Sequence, residues 1–385
     1  MTSLDDFARA KLDRLAARSL KRTLVETDRF AATRVLRDGR EMNSFCCNDY
    51  LNLSHHPKVI EAAVAATERF GAGAGASRLV TGNHSLYGEL EGRLARLKGT
   101  EAACVFGSGY LTNIGVVPSL VGEHDLIVVD ELSHACLHAG SRLSRARLEI
   151  FRHNDLGHCR DILERHRQSH GHCLILTDGV FSMDGDLAPT DALAKLAAAH
   201  DAWLMTDDAH GVGVVGDGRG STFVGDGKAD VPLQMGTLSK AVGVYGGYLC
   251  ARRPVIDLIK TRARSLIYST GLPPGAVAAA SAALEIIETE PALVASPLRK
   301  ARLFARALNL PEPESCIVPL ILGEAEAALA ASASLDLAGY LVTAIRPPTV
   351  PAGTARLRFT FTAGHHDADV ERLAAAVRGL LPAAA

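Results

Sequence analysis

The chain has 385 residues, 48% of them hydrophobic and 22% charged, with a mean hydropathy near zero and a formal charge of −2. That size can bury a sizeable core, and near-neutrality leaves no long-range field to gather nucleic acid or an anionic membrane surface. No apolar run approaches the ~20 residues that span a bilayer, and the acidic start Met1–Asp6 lacks a signal-like apolar stretch. The eight cysteines contain no Cys-x-x-Cys pair, so the expected compartment is the cytoplasm, without structural disulfides or zinc.

In chain order, Leu4, Phe7, Ala8, Leu12, Leu15 and Ala16 recur at helical spacing and predict an amphipathic first helix. Basic residues gather at Arg14–Arg22, but Asp5, Asp6 and Asp13 interleave with them, the pattern of a solvated helix face. Gly71–Gly75 resembles a phosphate loop only superficially. No strand leads into it and no Gly-Lys-Ser/Thr closes it, so a loop along a substrate channel is expected.

A helix around Ser85–Lys98 comes next. Seven short apolar strands then alternate with helices: Ala102–Phe106, Leu126–Val129, Leu148–Phe151, Leu174–Thr177, Trp203–Thr206, Val231–Met235 and Tyr248–Ala251. The helices between them include Tyr110–Val121, Gly157–His170 and Asp191–His200, the last with Thr190 as its expected N-cap. Such a pattern predicts an α/β fold, a mostly parallel seven-stranded sheet between helices, with functional residues at the strand C-terminal ends.

Beyond Pro273-Pro274 the texture changes. An alanine-rich helix (Gly275–Glu290) leads to strands at Cys316–Leu322, Tyr340–Arg346 and Ala355–Thr362 and a last helix at Asp367–Leu381, with Ala325–Ser334 also helix-compatible. The expected division is an N-terminal helix and segment over 1–50, a large α/β domain over 51–285, and a smaller α+β domain over 286–385.

Lys240 lies in Thr237-Leu238-Ser239-Lys240-Ala241, ahead of Gly246-Gly247, and an apolar strand ends thirty-three residues earlier in Asp207-Asp208-Ala209-His210. A strand-end carboxylate followed by an amine on a tight turn is what pyridoxal phosphate chemistry requires. Lys240 can take the aldehyde, and a buried Asp207 can keep the ring nitrogen protonated. Gly107-Ser108-Gly109-Tyr110, entering a helix after a strand, can receive the phosphate together with Thr237. His134, His210 and Ser182 are available for the ring face and its phenolic oxygen. An isolated lysine is ordinarily a solvated surface residue and a strand-end Asp an ordinary helix cap, so the two motifs carry weight only together. Asp208 is the better cap candidate. His55-His56 and His365-His366 have no third ligand at suitable spacing, and no metal site is expected.

The chain also resembles the α-oxoamine synthase family of fold-type I pyridoxal phosphate enzymes over nearly its whole length. The resemblance is carried by Asn48-Asp49-Tyr50-Leu51, Ser54–Pro57, Leu132–Ala135, His153-Asn154-Asp155, Gly179–Asp186, Asp207–Gly211, Thr237–Ala241, Tyr268-Ser269-Thr270, Ile345–Pro351 and Arg356-Leu357-Arg358. It implies that Lys240 holds the cofactor and acts as base, that Asp207 partners the ring nitrogen, and that His134 stacks on the ring. It further implies His210 and Ser182 at the phenolic oxygen, and Ser108, Gly109, Tyr110 and Thr237 at the phosphate. Thr270 would reach a neighbouring subunit's phosphate, making a homodimer with shared sites. Arg346 would bind the amino-acid carboxylate, with Asn48 close by and Arg22 toward the acyl chain or thioester.

Arg346-Pro347-Pro348 is similar to the branch that condenses L-alanine with a pimeloyl thioester, carried on coenzyme A or acyl carrier protein. The rivals are a sister enzyme joining glycine to another acyl-CoA and an inactive paralogue acting as a partner subunit. Three departures stand out: Cys46-Cys47 where a serine-rich pair is usual, Asn52 in place of a glycine, and Asp178 where some members have Glu.

Overall fold

The computed structural model describes residues 3–225 and 227–380. Helix α1 (Leu4–Ala16) is capped by Ser3, whose Oγ accepts the Asp6 N–H at 3.1 Å. It buries none of its own residues. Three strands absent from the sequence expectation follow, β1 (Thr27–Arg29), β2 (Arg34–Arg37) and β3 (Arg40–Ser44), paired antiparallel. At three to five residues each, their alternation is too short to stand out. Helices α2 (Pro57–Phe70) and α3 (Leu86–Leu97) lead into the α/β region.

That region runs β4 (Ala102–Phe106), α4 (Gly109–Leu120), β5 (Leu126–Asp130), α5 (Ala135–Ser144), β6 (Arg147–Phe151), α6 (Leu156–His166), β7 (Cys173–Asp178), α7 (Thr190–Ala199), β8 (Trp203–Asp207), β9 (Leu233–Thr237) and β10 (Gly247–Ala251). The seven strands form one sheet in the order β4-β10-β9-β8-β7-β5-β6, with only β10 antiparallel to its neighbours. Strands such as Leu126–Val129 are buried throughout because helices cover both faces. The observed β9 begins two residues later than expected. Pro232 has no N–H to give a ladder, so pairing starts at Leu233. Thr190 is the first helical residue rather than the cap; Pro189 holds that position, and the Thr190 hydroxyl donates to the Ala188 carbonyl at 3.3 Å.

Helices α8 (Arg253–Arg262), α9 (Arg264–Ile267) and α10 (Pro274–Thr289) complete the large unit. The C-terminal part comprises α11 (Pro291–Ala307), β11 (Ile317–Gly323), α12 (Ala325–Leu337), β12 (Tyr340–Leu341), β13 (Thr343–Ile345), β14 (Ala355–Thr360) and α13 (Asp367–Arg378). The expected strand Tyr340–Arg346 is two strands. β12 pairs with β3 and β13 with β14, and buried Val342 marks the point where the chain passes from one sheet to the other. Among the described residues no helix is long and apolar enough to cross a membrane.

Asn52 has a φ of 55°, a left-handed conformation that glycine or asparagine tolerates. Its amide donates to the Ala32 carbonyl at 2.8 Å, and its oxygen accepts the Gly364 N–H. The departure from glycine therefore cross-links the N-terminal and C-terminal segments.

His365 stacks on Phe45 with ring centroids 4.0 Å apart, accepts the Thr362 N–H on Nδ1 at 2.9 Å, and uses Nε2 toward the Ser44 carbonyl at 2.9 Å. Burial, aided by Lys300, pushes its pKa down to about 4. The unfolded chain takes this proton near pH 6.5 and the folded one only near 4. The stabilisation is therefore whole above about pH 6.5 and lost as pH falls toward 4, a span worth about 3 kcal/mol. Urea midpoints of His365→Phe, which keeps a ring against Phe45 but takes no proton, are expected to fall less steeply over that range than those of the natural protein.

Candidate active site

Register pairing of β7 with β8 sets Asp178 beside Asp207 at the C-terminal end of the sheet. Asp207 is buried; its Oδ1 accepts the Ala209 N–H at 3.0 Å and its Oδ2 accepts the Asn113 side-chain amide at 2.7 Å. Asp208, expected as a helix cap, points elsewhere. It forms a fully buried ion pair with Lys98 Nζ at 2.7 Å and accepts the Ser221 N–H at 3.0 Å. Gly220 makes this packing possible, since a Cβ there would fall 2.1 Å from Asp208 Oδ2.

Lys240 follows β9, with Nζ 2.8 Å from His210 Nε2. His210 Nδ1 lies 2.7 Å from the Tyr50 hydroxyl, which accepts from Arg358 Nη2 at 3.3 Å and donates to Asn48 Oδ1 at 3.2 Å. A buried path of hydrogen-bonding groups thus runs Lys240–His210–Tyr50–Arg358. Burial lowers the Lys240 pKa, against the opposing pull of the Asp207 and Asp178 carboxylates. Burial, reinforced by the Lys240 charge, holds His210 well below its ordinary value, so its imidazole is neutral.

His134 occupies the N-cap of α5. Its Nδ1 accepts the Cys136 N–H at 3.3 Å, and its own N–H donates to Asp178 Oδ1 at 3.0 Å. Burial lowers the His134 pKa, opposed by Asp207 and aided by Lys240. Asp178 is driven the other way, well above the usual carboxylate range, by burial and then by the Asp207 charge.

At the other end, Ser108 caps α4 by accepting the Leu111 N–H on Oγ at 3.2 Å. The first turn of α4 carries no acidic residue, and helix geometry leaves its leading N–H groups free for an anion. Glycine at 247 lets β10 lie against this turn, because a Cβ there would sit 2.5 Å from Gly109 N. Thr237 Oγ1 donates to the Gly246 carbonyl at 2.7 Å and lies 2.7 Å from Ser239 Oγ. Tyr110, in the first turn of α4, is exposed. An amine, a buried carboxylate, a neutral histidine at a helix cap and a glycine-lined helix N-terminus are the donor set that pyridoxal phosphate needs, so the residues fit that cofactor.

The remaining expected residues lie around this centre. Ser182 is on the turn after β7, where its carbonyl accepts Arg358 Nε. Thr270 forms an isolated bridge with Ser77 and lines a small pocket with Gly107 and Ser269. Arg346 donates to the Ser19 carbonyl and Arg22 to Thr349 Oγ1 at 3.3 Å, so these two arginines meet where the N-terminal segment crosses the 346–349 turn. The guanidinium joined to the Lys240 path is that of Arg358. Sequence reasoning gave no role to Arg358, Tyr50 or Asn113. A readable signal existed at Arg358, a charge between Leu357 and Phe359 in a strand buried along its whole length.

Residues 40–377 match the family model described as aminotransferase class I and II. A putative 8-amino-7-oxononanoate synthase of Parvibaculum lavamentivorans is 67% identical over 379 residues, 98% of this chain and 97% of the relative. An 8-amino-7-oxononanoate synthase of Methylocella silvestris is 66% identical over 90% of this chain and 99% of its own length. Among solved structures, Sphingomonas wittichii serine palmitoyltransferase superposes with a TM-score of 0.92 at 29% identity, covering 99% of this chain and 98% of that one. A fold-type I architecture, a site suited to pyridoxal phosphate and this degree of kinship agree: the chain belongs to the class I and II aminotransferase family, among its 8-amino-7-oxononanoate synthases.

Proposed function

We propose that the protein condenses L-alanine with a pimeloyl thioester, releasing CO2 and the thiol carrier and forming 8-amino-7-oxononanoate for biotin synthesis. The observation that carries this reading is the Lys240–His210–Tyr50–Arg358 path, which joins a buried amine to a buried guanidinium beside Asp207.

Lys240 would hold the cofactor aldehyde, Asp207 its ring nitrogen, His134 its ring face, and His210 with Ser182 its phenolic oxygen. Ser108, Gly109, Tyr110 and Thr237 would receive its phosphate. When bound, pyridoxal phosphate supplies the electron sink that acidifies the amino-acid Cα–H and lets the carboxylate leave as CO2. The Lys240 amine, made less basic by burial, takes the Cα proton and later returns one. Asn113 and the Ala209 N–H fix both oxygens of Asp207, so its charge stays aimed. Arg358 holds the alanine carboxylate with Asn48 beside it, Arg346 guards the outer rim, and Arg22 lies toward the acyl thioester.

Exposed Leu79, Val80 and Tyr268 flank the Ser77–Thr270 bridge and support a homodimer in which Thr270 completes the neighbouring site, a mass that sedimentation would register. Eight free thiols support a reducing compartment, the cytoplasm.

The test offers purified, cofactor-loaded protein L-alanine or glycine with pimeloyl-coenzyme A or pimeloyl-acyl carrier protein, and identifies the product by mass. Product from glycine and another acyl-CoA, with none from alanine, would replace this reading by the sister activity. Arg358→Lys is expected to raise the L-alanine KM about tenfold or more, and Arg346→Lys to raise it less. Equal effects of the two variants in steady-state assays would overturn that division of roles.

A further inference from the structure

The segment His153-Asn154, just past β6, has no part in the site described above, yet His153 is clamped between two carboxylates. Its Nδ1 is 3.1 Å from Asp130 Oδ1 and its Nε2 is 2.7 Å from Asp186 Oδ2. Both ring nitrogens face acceptors, which the imidazolium alone satisfies with two N–H donors. The ring stands edge-on to Phe181 at 4.3 Å. Burial by itself would lower the pKa of His153, but the hydrogen bonds and charges of Asp130 and Asp186 hold it up to about 10.

The two carboxylates belong to different parts of the fold. Asp130 is fully buried at the end of β5 and accepts the N–H groups of Leu132 at 2.9 Å and Asn154 at 2.8 Å, so it is a fixed anchor. Asp186 lies on the tight turn 181–186, closed by Gly185 N–H to the Phe181 carbonyl at 2.8 Å and Phe181 N–H to the Asp186 carbonyl at 3.0 Å. Asn154 adds a second tie from its amide to Asp186 Oδ2 at 3.1 Å.

The far side of the same turn receives the arginines of β14. Arg358 Nε donates to the Ser182 carbonyl, and Arg356 Nη1 donates to Asp184. Ser315 Oγ donates to the Gly185 carbonyl at 2.7 Å. One six-residue turn is thus pinned to the sheet by His153 and in turn sets the guanidinium of Arg358. Among the described residues His153 makes no hydrogen bond to Lys240, His210 or Arg358.

We propose that His153 is a positioning residue for amino-acid binding, acting through turn 181–186 to aim Arg358 at the substrate carboxylate. The inference rests on the reading of Arg358 as the carboxylate contact. A guanidinium displaced by a fraction of an ångström loses two-point contact with a carboxylate while the rest of the site stays assembled.

His153→Phe keeps a ring beside Phe181 but removes both donors and the charge. The holoenzyme carrying it is expected to show an L-alanine KM raised about tenfold, with the thioester KM within about twofold and the cofactor absorbance retained. His153→Arg, which restores a cation with donors for both carboxylates, is expected to recover most of the loss. Calorimetric titration with L-alanine alone should show the same weakening. If His153→Phe does not fold, His153→Gln, with one donor left, is expected to raise the alanine KM about threefold. Arg358→Lys is measured alongside. An alanine KM raised in both Arg358→Lys and the folded His153 variant supports the inference. A raised value in Arg358→Lys with an unchanged one in the His153 variant overturns the inference alone, even if the melting temperature falls. An unchanged value in Arg358→Lys overturns the carboxylate reading and this inference together.

Discussion

Replacing Lys240 by alanine is expected to reduce turnover by at least about 10⁴-fold while leaving the chain folded, because two proposed functions leave with one amine. The first is covalent attachment of the cofactor aldehyde. The second is proton transfer at Cα, for which no other amine among the described residues lies on the path through His210. His210 cannot substitute. Its imidazole is held well below its ordinary pKa by burial and is occupied by the Tyr50 hydroxyl at 2.7 Å. Folding should be little affected, since burying an amine against its own desolvation stabilises the native state weakly at best. Lys240→Arg should not rescue, because a guanidinium stays protonated and forms no bond with an aldehyde under assay conditions. Product formation in a single turnover, and mass analysis after borohydride reduction to detect trapped cofactor, check both functions. Turnover by Lys240→Ala within tenfold of the natural protein would sink the assignment.

The second large effect is on stability. Lys98→Met is expected to destabilise the fold by about 3–5 kcal/mol, the range for removing one partner of a buried ion pair. Lys98 and Asp208 are both inaccessible to solvent, at 2.7 Å, and Lys98 Nζ also donates to the Arg219 carbonyl at 2.6 Å. Without the ammonium, the Asp208 carboxylate keeps, among the described residues, only the Ser221 N–H, and it lies one residue from Asp207. The double variant Lys98→Met with Asp208→Asn removes the orphaned charge and is expected to regain much of the loss. Urea midpoints of the single and double variants measure this. A single variant within about 1 kcal/mol of the natural protein would show that the pair is not what holds the 207–221 segment.

The sheet and its chemistry were readable for a common reason. Six of the seven strands are short, mostly apolar runs buried over at least four consecutive residues, a pattern set by burial on both faces, whereas edge strand β6 carries Arg147 and Glu149 and is largely uncovered. Asp207, Ser108 and Lys240 lie at or near such strand ends, where the path of the backbone decides which side chains meet. Asn52 shows the same local logic, since a left-handed position admits few residues. Helix α11 was equally readable in principle, with Val294, Ala301, Phe304 and Ala305 buried at helical spacing. Two prolines, Pro291 and Pro297, obscured it; Pro291 merely starts the helix, and Pro297 is accommodated within it.

The arginines divide differently. Arg346 and Arg358 are both local features of the sequence, twelve positions apart; apolar Leu357 and Phe359 mark Arg358 for burial, but neither neighbourhood says what that guanidinium meets. That depends on β14 docking against the turn 181–186 and on Tyr50 arriving from the far end of the chain. Asp208 is similar: its neighbours suggest a cap, and only the approach of Lys98, 110 residues earlier, makes it half of an ion pair. The sequence by itself determined the α/β architecture and the placement of Lys240 and Asp207 at strand ends, because periodicity and strand ends are encoded within a few residues. Tertiary structure alone decided which arginine faces that lysine and what holds it there, because those contacts join segments more than a hundred residues apart and exist only once the C-terminal strands have packed on the sheet.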